Sequence, residues 1–165
     1  MADPSDRFGA DAAGVMIAIE TPETEDVAAL LTSHVAEARA LTPSGYSFAL
    51  PVDALMADDI TFWTAREAGV LLGVAALKDL GDGTGEVKSM RTAPEHLRKG
   101  VADKILEELI RAARGRGFTA LYLETGTTDA YLAARGLYAK HGFSPCLPFA
   151  DYEASDHNWF MMLSL

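Results

Sequence analysis

The stretch Glu86-Val87-Lys88-Ser89-Met90-Arg91-Thr92-Ala93-Pro94-Glu95-His96-Leu97-Arg98-Lys99-Gly100-Val101-Ala102 decides how this chain is read. It runs as a strand, then a proline-bounded turn, then an Arg-Lys-Gly segment that opens an amphipathic helix. A helix entered through a glycine offers several unpaired backbone N–H groups and the positive end of a dipole. Such an end suits a phosphate or pyrophosphate. The alternative is an ordinary strand-to-helix loop whose glycine only relieves crowding, since Gly-containing turns are common. Period-2 alternation places Glu86, Lys88 and Met90 on one face of the strand and Val87, Ser89 and Arg91 on the other.

Beyond Gly100, Val101, Ile105, Leu109 and Ala113 fall beside Ala102, Leu106 and Ile110 in a broad inward stripe. Asp103, Lys104, Glu107, Glu108, Arg111 and Arg114 face water, with Glu107 and Arg111 at the spacing of a favourable pair. Gly115 and Gly117 stop this helix. Upstream, Ile60–Arg66 and Val70–Lys78 read as strands joined by a tight Glu67-Ala68-Gly69 turn, the second apolar on both faces. Gly81-Asp82-Gly83-Thr84-Gly85 lacks the third glycine of a dinucleotide fingerprint and reads as a hairpin turn. Val15–Glu20 is a further strand. Thr24 is the expected N-cap of a helix to about Arg39, with Val27, Leu30, Leu31, His34, Val35 and Ala38 inward. Pro51–Met56 is a short helix. Downstream come a strand at Phe118–Glu124, a helix at Ala130–His141, and a final strand pair around a Tyr152–His157 turn.

The bulk properties narrow the classes of function. A chain of 165 residues is most simply one domain. Residues 1–14 lack apolar periodicity and read as a flexible tail, leaving 15–165 as the single domain. The net charge is −10, and residues 1–60 hold 11 acidic against 2 basic side chains. That balance excludes a nucleic-acid binder, which depends on cationic contacts with phosphates. Residues 88–116 reverse it locally, with 8 basic and 4 acidic side chains. Neither a signal peptide nor a long apolar run is present, so no membrane contact is expected. Cys146 is the single cysteine, which fits a cytoplasmic location and reads as an inert thiol. His34, His96, His141 and His157 lack metal-ligand spacing, so no metal is expected.

The segment 86–102 resembles the acyl-CoA-binding motif of the GNAT superfamily of N-acetyltransferases. There a strand runs into Pro-Glu-x, then Arg/Gln-x-x-Gly-x-Gly/Ala, then a long helix. Gly136-Leu137-Tyr138-Ala139-Lys140-His141-Gly142-Phe143 is similar to a second signature of that superfamily, Leu-Tyr-x-Lys-x-Gly-Phe. The likeness is good over about residues 60–165 and weak before them. It implies an α+β domain with a mixed, mostly antiparallel sheet of six to seven strands and about four flanking helices. Strands four and five splay apart, and acetyl-CoA enters between them as cosubstrate.

The resemblance also implies roles. Glu86 stands where many of these enzymes place a general base; the competing reading is a surface ion pair with Lys88 or a cross-strand partner. Tyr138 matches the tyrosine that protonates the departing thiolate; otherwise it is a packing residue of its helix. Met90, Arg91 and Thr92 would run along the pantetheine arm. The N–H groups from Leu97 to Ala102 would hold the pyrophosphate, with Arg98, Lys99, Gly100 and Val101 inside that loop. Two residues depart from the pattern: Leu97 replaces a cationic or amide side chain, and Tyr131 replaces an asparagine near the cofactor. Glu124 is a reserve base, which otherwise fixes the following turn, Tyr152 a reserve acid or substrate contact, and Phe48 and Trp63 candidate walls of the acceptor pocket, Trp63 being otherwise a core residue. The implied reaction is direct acetyl transfer to a primary amine of a small or amino-acid-like molecule. The alternatives are a non-catalytic acyl-CoA-sensing module or a protein-association domain, the latter as a homodimer.

Overall fold

The order of the strands follows from turns the sequence writes clearly. The computed structural model describes residues 14–165; of the expected 1–14 tail, 1–13 therefore lie outside the described residues. Strand β1 (Val15–Ile19) pairs antiparallel with β2 (Ile60–Glu67), which pairs with β3 (Val70–Asp79). Ala68 and Gly69 join β2 and β3 with φ values of 49° and 82°. Two successive left-handed residues match the twist of a two-residue hairpin. Next, β4 (Thr84–Thr92) returns antiparallel to β3 across the Gly81–Gly85 turn, as its glycines foretold. Strands β5 (Ala120–Gly126), β6 (Ser144–Pro145) and β7 (Asn158–Ser164) complete a seven-stranded sheet of order β1-β2-β3-β4-β5-β7-β6.

Helix α1 (Glu25–Leu41) covers one face of this sheet; α2 (Val101–Gly115) and α3 (Leu132–Lys140) cover the other. Alternation along β3 sets the division. Ala75 and Leu77 join the core beneath α2, while Val74 and Ala76 join the core beneath α1. Ile105, Leu106 and Leu109 of α2 are fully buried there, each worth about 1.5–3 kcal/mol relative to exposure.

Several local expectations needed correction. Among the described residues there are three α-helices instead of about four, with short 3-10 turns at Val52–Met56, Pro94–His96 and Asp129–Tyr131. The turn at Asp129–Tyr131 takes up the start of the expected Ala130–His141 helix. Thr24 does not cap α1 with its side chain; its hydroxyl instead donates to Asp26, whose carboxylate accepts from the Val27 amide at 2.8 Å. Arg111 pairs with Glu108 at 3.0 Å, not with Glu107. Asp103 is no free surface charge, because Lys140 and His141 of the α3 end both reach it.

Candidate active site

The sheet opens between β4 and β5. Their parallel ladder runs through Thr84, Gly85 and Glu86 against Ala120, Leu121 and Tyr122, and then the strands part. A cleft of about 220 Å³ fills the opening, lined by residues 86–91 of β4, Glu124–Gly126 of β5, the last turns of α1, residues 46–49, and Tyr131, Ala134 and Tyr138. The expected splay is thus in place, and it brings Glu86, Met90, Arg91, Tyr131, Tyr138, Phe48 and Glu124 to one cleft.

A bulge in β4 decides which side chains face which way. Val74 pairs with Arg91 but Ala76 with Lys88, so Ala75 opposes both Ser89 and Met90. Ser89 absorbs the extra residue with a φ of 54°. A bulge shifts alternation by one step. Met90 therefore packs toward the α2 core, not beside Glu86 and Lys88 as simple alternation required. Arg91 turns to the α1 side and pairs with Glu37, leaving its backbone for any contact with a donor molecule. Ser89 Oγ and Arg91 Nε are buried without a partner among the described residues. Unpaired buried polar atoms are uncommon, and here both belong to residues lining a cleft.

Glu86 is 3% exposed. Its Oε2 accepts hydrogen bonds from the Tyr152 hydroxyl at 2.6 Å and from Lys88 Nζ at 3.1 Å, and Lys88 also donates to the Tyr152 oxygen at 3.0 Å. Burial first, and the Glu86 carboxylate second, push the Tyr152 phenol above its ordinary value. Its hydroxyl proton is engaged by Glu86. The ion pair with Lys88 exists, but in the interior and not at the surface. Tyr152 lies 66 residues beyond Glu86 in the chain, so local sequence carried no sign of this contact.

Glu124 occupies the facing strand. Burial raises its pKa, opposed by a hydrogen bond from Asn158 Nδ2 at 3.0 Å. Tyr138 is buried, and desolvation, followed by the charge of Glu124, holds its phenol well above its usual value. Tyr131 closes one end of the cleft, its hydroxyl 3.4 Å from Thr42 Oγ1. Phe48, half-exposed, packs edge-on to Tyr152 at 5.0 Å. Trp63 is not a cleft wall. It is 2% exposed beneath α2, with the Arg116 guanidinium 5.9 Å from its ring, because β2 turns it to that face. Asn158 was missed altogether, since an isolated Asn opening a strand carries no pattern.

The Leu97–Ala102 loop lies outside this cleft, at the start of α2. Arg98 and Gly100 take φ values of 63° and 78°, and a Cβ on Gly100 would meet nothing within 4 Å. Successive amides around such left-handed residues form an anion-binding concavity. The first intrahelical bond is Lys104 N to Gly100 O at 3.2 Å, so the amides of Val101, Ala102 and Asp103 precede the helical ladder. Leu97 is 58% exposed at its rim.

Residues 20–143 match the model of the acetyltransferase (GNAT) family, and the chain belongs to that family. A protein of Escherichia coli (strain K12) described as the uncharacterized N-acetyltransferase YedL is 45% identical over 139 residues, covering 84% of this chain and 87% of its own length. One of Bacillus subtilis (strain 168), described as the uncharacterized N-acetyltransferase YsnE, is 40% identical, with 90% and 99% covered. A Klebsiella pneumoniae crystal structure, titled as a candidate acyl-CoA N-acyltransferase, superposes with a TM-score of 0.76 at 27% identity over 93% of this chain and 99% of its own. A GNAT-family structure from Elizabethkingia anophelis with acetyl-CoA bound has a TM-score of 0.68 at 18% identity, over 92% and 99% of the two chains, a likeness of fold.

Proposed function

We propose that residues 15–165 form one N-acetyltransferase unit that moves an acetyl group from acetyl-CoA to a primary amine of a small or amino-acid-like molecule. The observation that carries this reading is the pair of carboxylates, buried Glu86 and half-buried Glu124, on opposite walls of one cleft in different environments. The residues present fit a CoA thioester. The concavity at Arg98–Gly100 suits its pyrophosphate, the space above Gly100 is clear, and the parting of β4 from β5 leaves strand edge along which an amide-bearing arm pairs.

An alkylamine with a pKa near about 10.4 arrives as ammonium, and freeing its lone pair at neutral pH costs roughly 4 kcal/mol. Two carboxylates in unlike surroundings divide such work. Glu86, clamped by Lys88 and Tyr152, supplies a fixed negative charge that holds the ammonium. Glu124, made more basic by burial, takes its proton. The amine nitrogen then attacks the thioester carbon, the C–N bond forms, and the C–S bond breaks. Tyr138 gives its proton to the departing sulfur, and the second proton that the nitrogen sheds as the amide forms returns by way of water to restore the phenol. Desolvation raises the phenol and the thiolate alike, so the transfer stays feasible inside the dry site. No covalent acyl-enzyme is required.

The test is CoA release with a panel of small primary amines across pH, for the wild type and for Glu124→Gln, Glu86→Gln and Tyr138→Phe. Glu124→Gln should abolish the acidic limb of kcat/KM, and Tyr138→Phe should lower kcat with acetyl-CoA affinity intact. An unchanged pH profile in Glu124→Gln would remove Glu124 as the base. Saturable acetyl-CoA binding without amine-dependent release would identify a sensing module, and absence of binding an association domain.

A further inference from the structure

Loop 43–51, without helix or strand through Pro51, carries Tyr46 and Phe48 over the cleft. Its anchor is unusually specific. Asn158, buried at the first position of β7, donates one N–H of its carboxamide to the Tyr46 carbonyl at 2.9 Å and the other to Glu124 Oε2 at 3.0 Å. Its Oδ1 accepts from the Ser155 hydroxyl. These partners fix the amide orientation, because a flipped group would set its oxygen against a carbonyl and a carboxylate. The Tyr46 ring also rests on His157 at 4.7 Å, beside the same strand.

We infer that Asn158 is a positioning residue that ties the 43–51 loop to the Glu124 carboxylate through its single NH2 group. The loop that borders the acceptor and the group that receives its proton are held in one register. Its catalytic meaning rests on Glu124 as the base, but the coupling is a property of the protein without any acceptor. The groups whose charges reach Glu124 or feel it are Glu86 and Lys88 of β4, Tyr138 of α3, and Tyr152 before β7. None of these changes when residue 158 is replaced by an uncharged side chain.

The experiment needs no acceptor. In protein carrying carboxyl-13C glutamate, the Glu124 titration is followed by NMR and assigned by its loss in Glu124→Gln; amide hydrogen exchange is read over residues 45–50. Asn158→Leu should raise the Glu124 midpoint by about one pH unit, as expected for losing one hydrogen bond to the ionised form. Loop amides should exchange about five- to tenfold faster, the effect of one lost hydrogen bond, with exchange in α2 unchanged. Asn158→Ala removes the carboxamide without placing a new charge beside Glu124. It should move both readouts the same way, and it decides the matter if the leucine variant does not fold. A midpoint that stays put, or a loop that exchanges as before, in either folded variant would overturn the coupling. Loss of the acidic limb in Glu124→Gln together with unmoved Asn158 variants would leave the proposed reaction standing and sink only this inference.

Discussion

Substituting Gly126 by alanine should displace Tyr131 and unsettle the end of the cleft. Gly126 closes β5, and a Cβ there would lie 2.2 Å from both Cδ2 and Cε2 of the Tyr131 ring. Carbon atoms rest at about 3.5–4.0 Å, so ring and backbone must separate by roughly 1.3 Å or more. Neither side yields freely. The Gly126 carbonyl accepts from Arg135 Nη1 at 2.9 Å, and the Tyr131 amide donates to Thr128 O at 3.0 Å. Overpacking of this kind costs about 1–3 kcal/mol. For a chain of this size each kcal/mol lowers Tm by about 2–4 °C, so a loss of about 5 °C is expected. Thermal melts of Gly126→Ala, Tyr131→Ala and the double variant form a cycle. If the cost is steric, alanine at 126 should be nearly neutral once the ring is gone, with a coupling of about 1–3 kcal/mol. Additive losses would show that the glycine is needed for another reason and would refute the argument.

Two further outcomes follow from named contacts. Gly100→Ala should cost about 1–2 kcal/mol in urea denaturation, because its φ of 78° is left-handed, and should weaken acetyl-CoA in calorimetry; unchanged stability would contradict the backbone reading. The Arg66 hydrogen bond, with help from Thr24 and the Val27 amide, holds Asp26 at about 2 against an ordinary 3.8. A depressed carboxylate stabilises the fold above its unfolded pKa and loses that contribution as pH falls toward its folded one. Asp26 itself is half-exposed, so the advantage over Asp26→Asn should be under about 1 kcal/mol at pH 7. It should fade between about pH 4 and pH 2, and a difference that persists at the acid end would refute the assignment.

What could be read from the sequence was whatever depends on neighbours along the chain. The strand–turn–helix at 86–102, the Ala68–Gly69 hairpin and the inward stripe of α2 all rest on residues within a few positions of one another. The misses have a common physical origin. The bulge at Ser89 is set by how β3 and β4 meet, and no residue type in β4 announces it; yet it redirected Met90 and Arg91. Trp63 looked like a pocket residue because its chemistry suits one, but the register of β2 turned it beneath α2. Glu86 with Tyr152, and Glu124 with Asn158 and Tyr46, join segments that only the assembled sheet brings together. Thr24 shows the converse, a local signal overridden when Asp26 found Arg66.

The three-pair ladder between β4 and β5 is also a mechanical seam. On one side β1–β4 form a continuous antiparallel meander, and on the other β5 and β7 are zipped along their whole length. Little main-chain bonding spans the join. A donor molecule lying in the gap would act as a suture between the two halves, so saturation should do more than add binding energy to the folded state. Amide exchange ought to slow on both banks of the gap together, and the half-sheets should then open as one body where the empty protein lets them open separately.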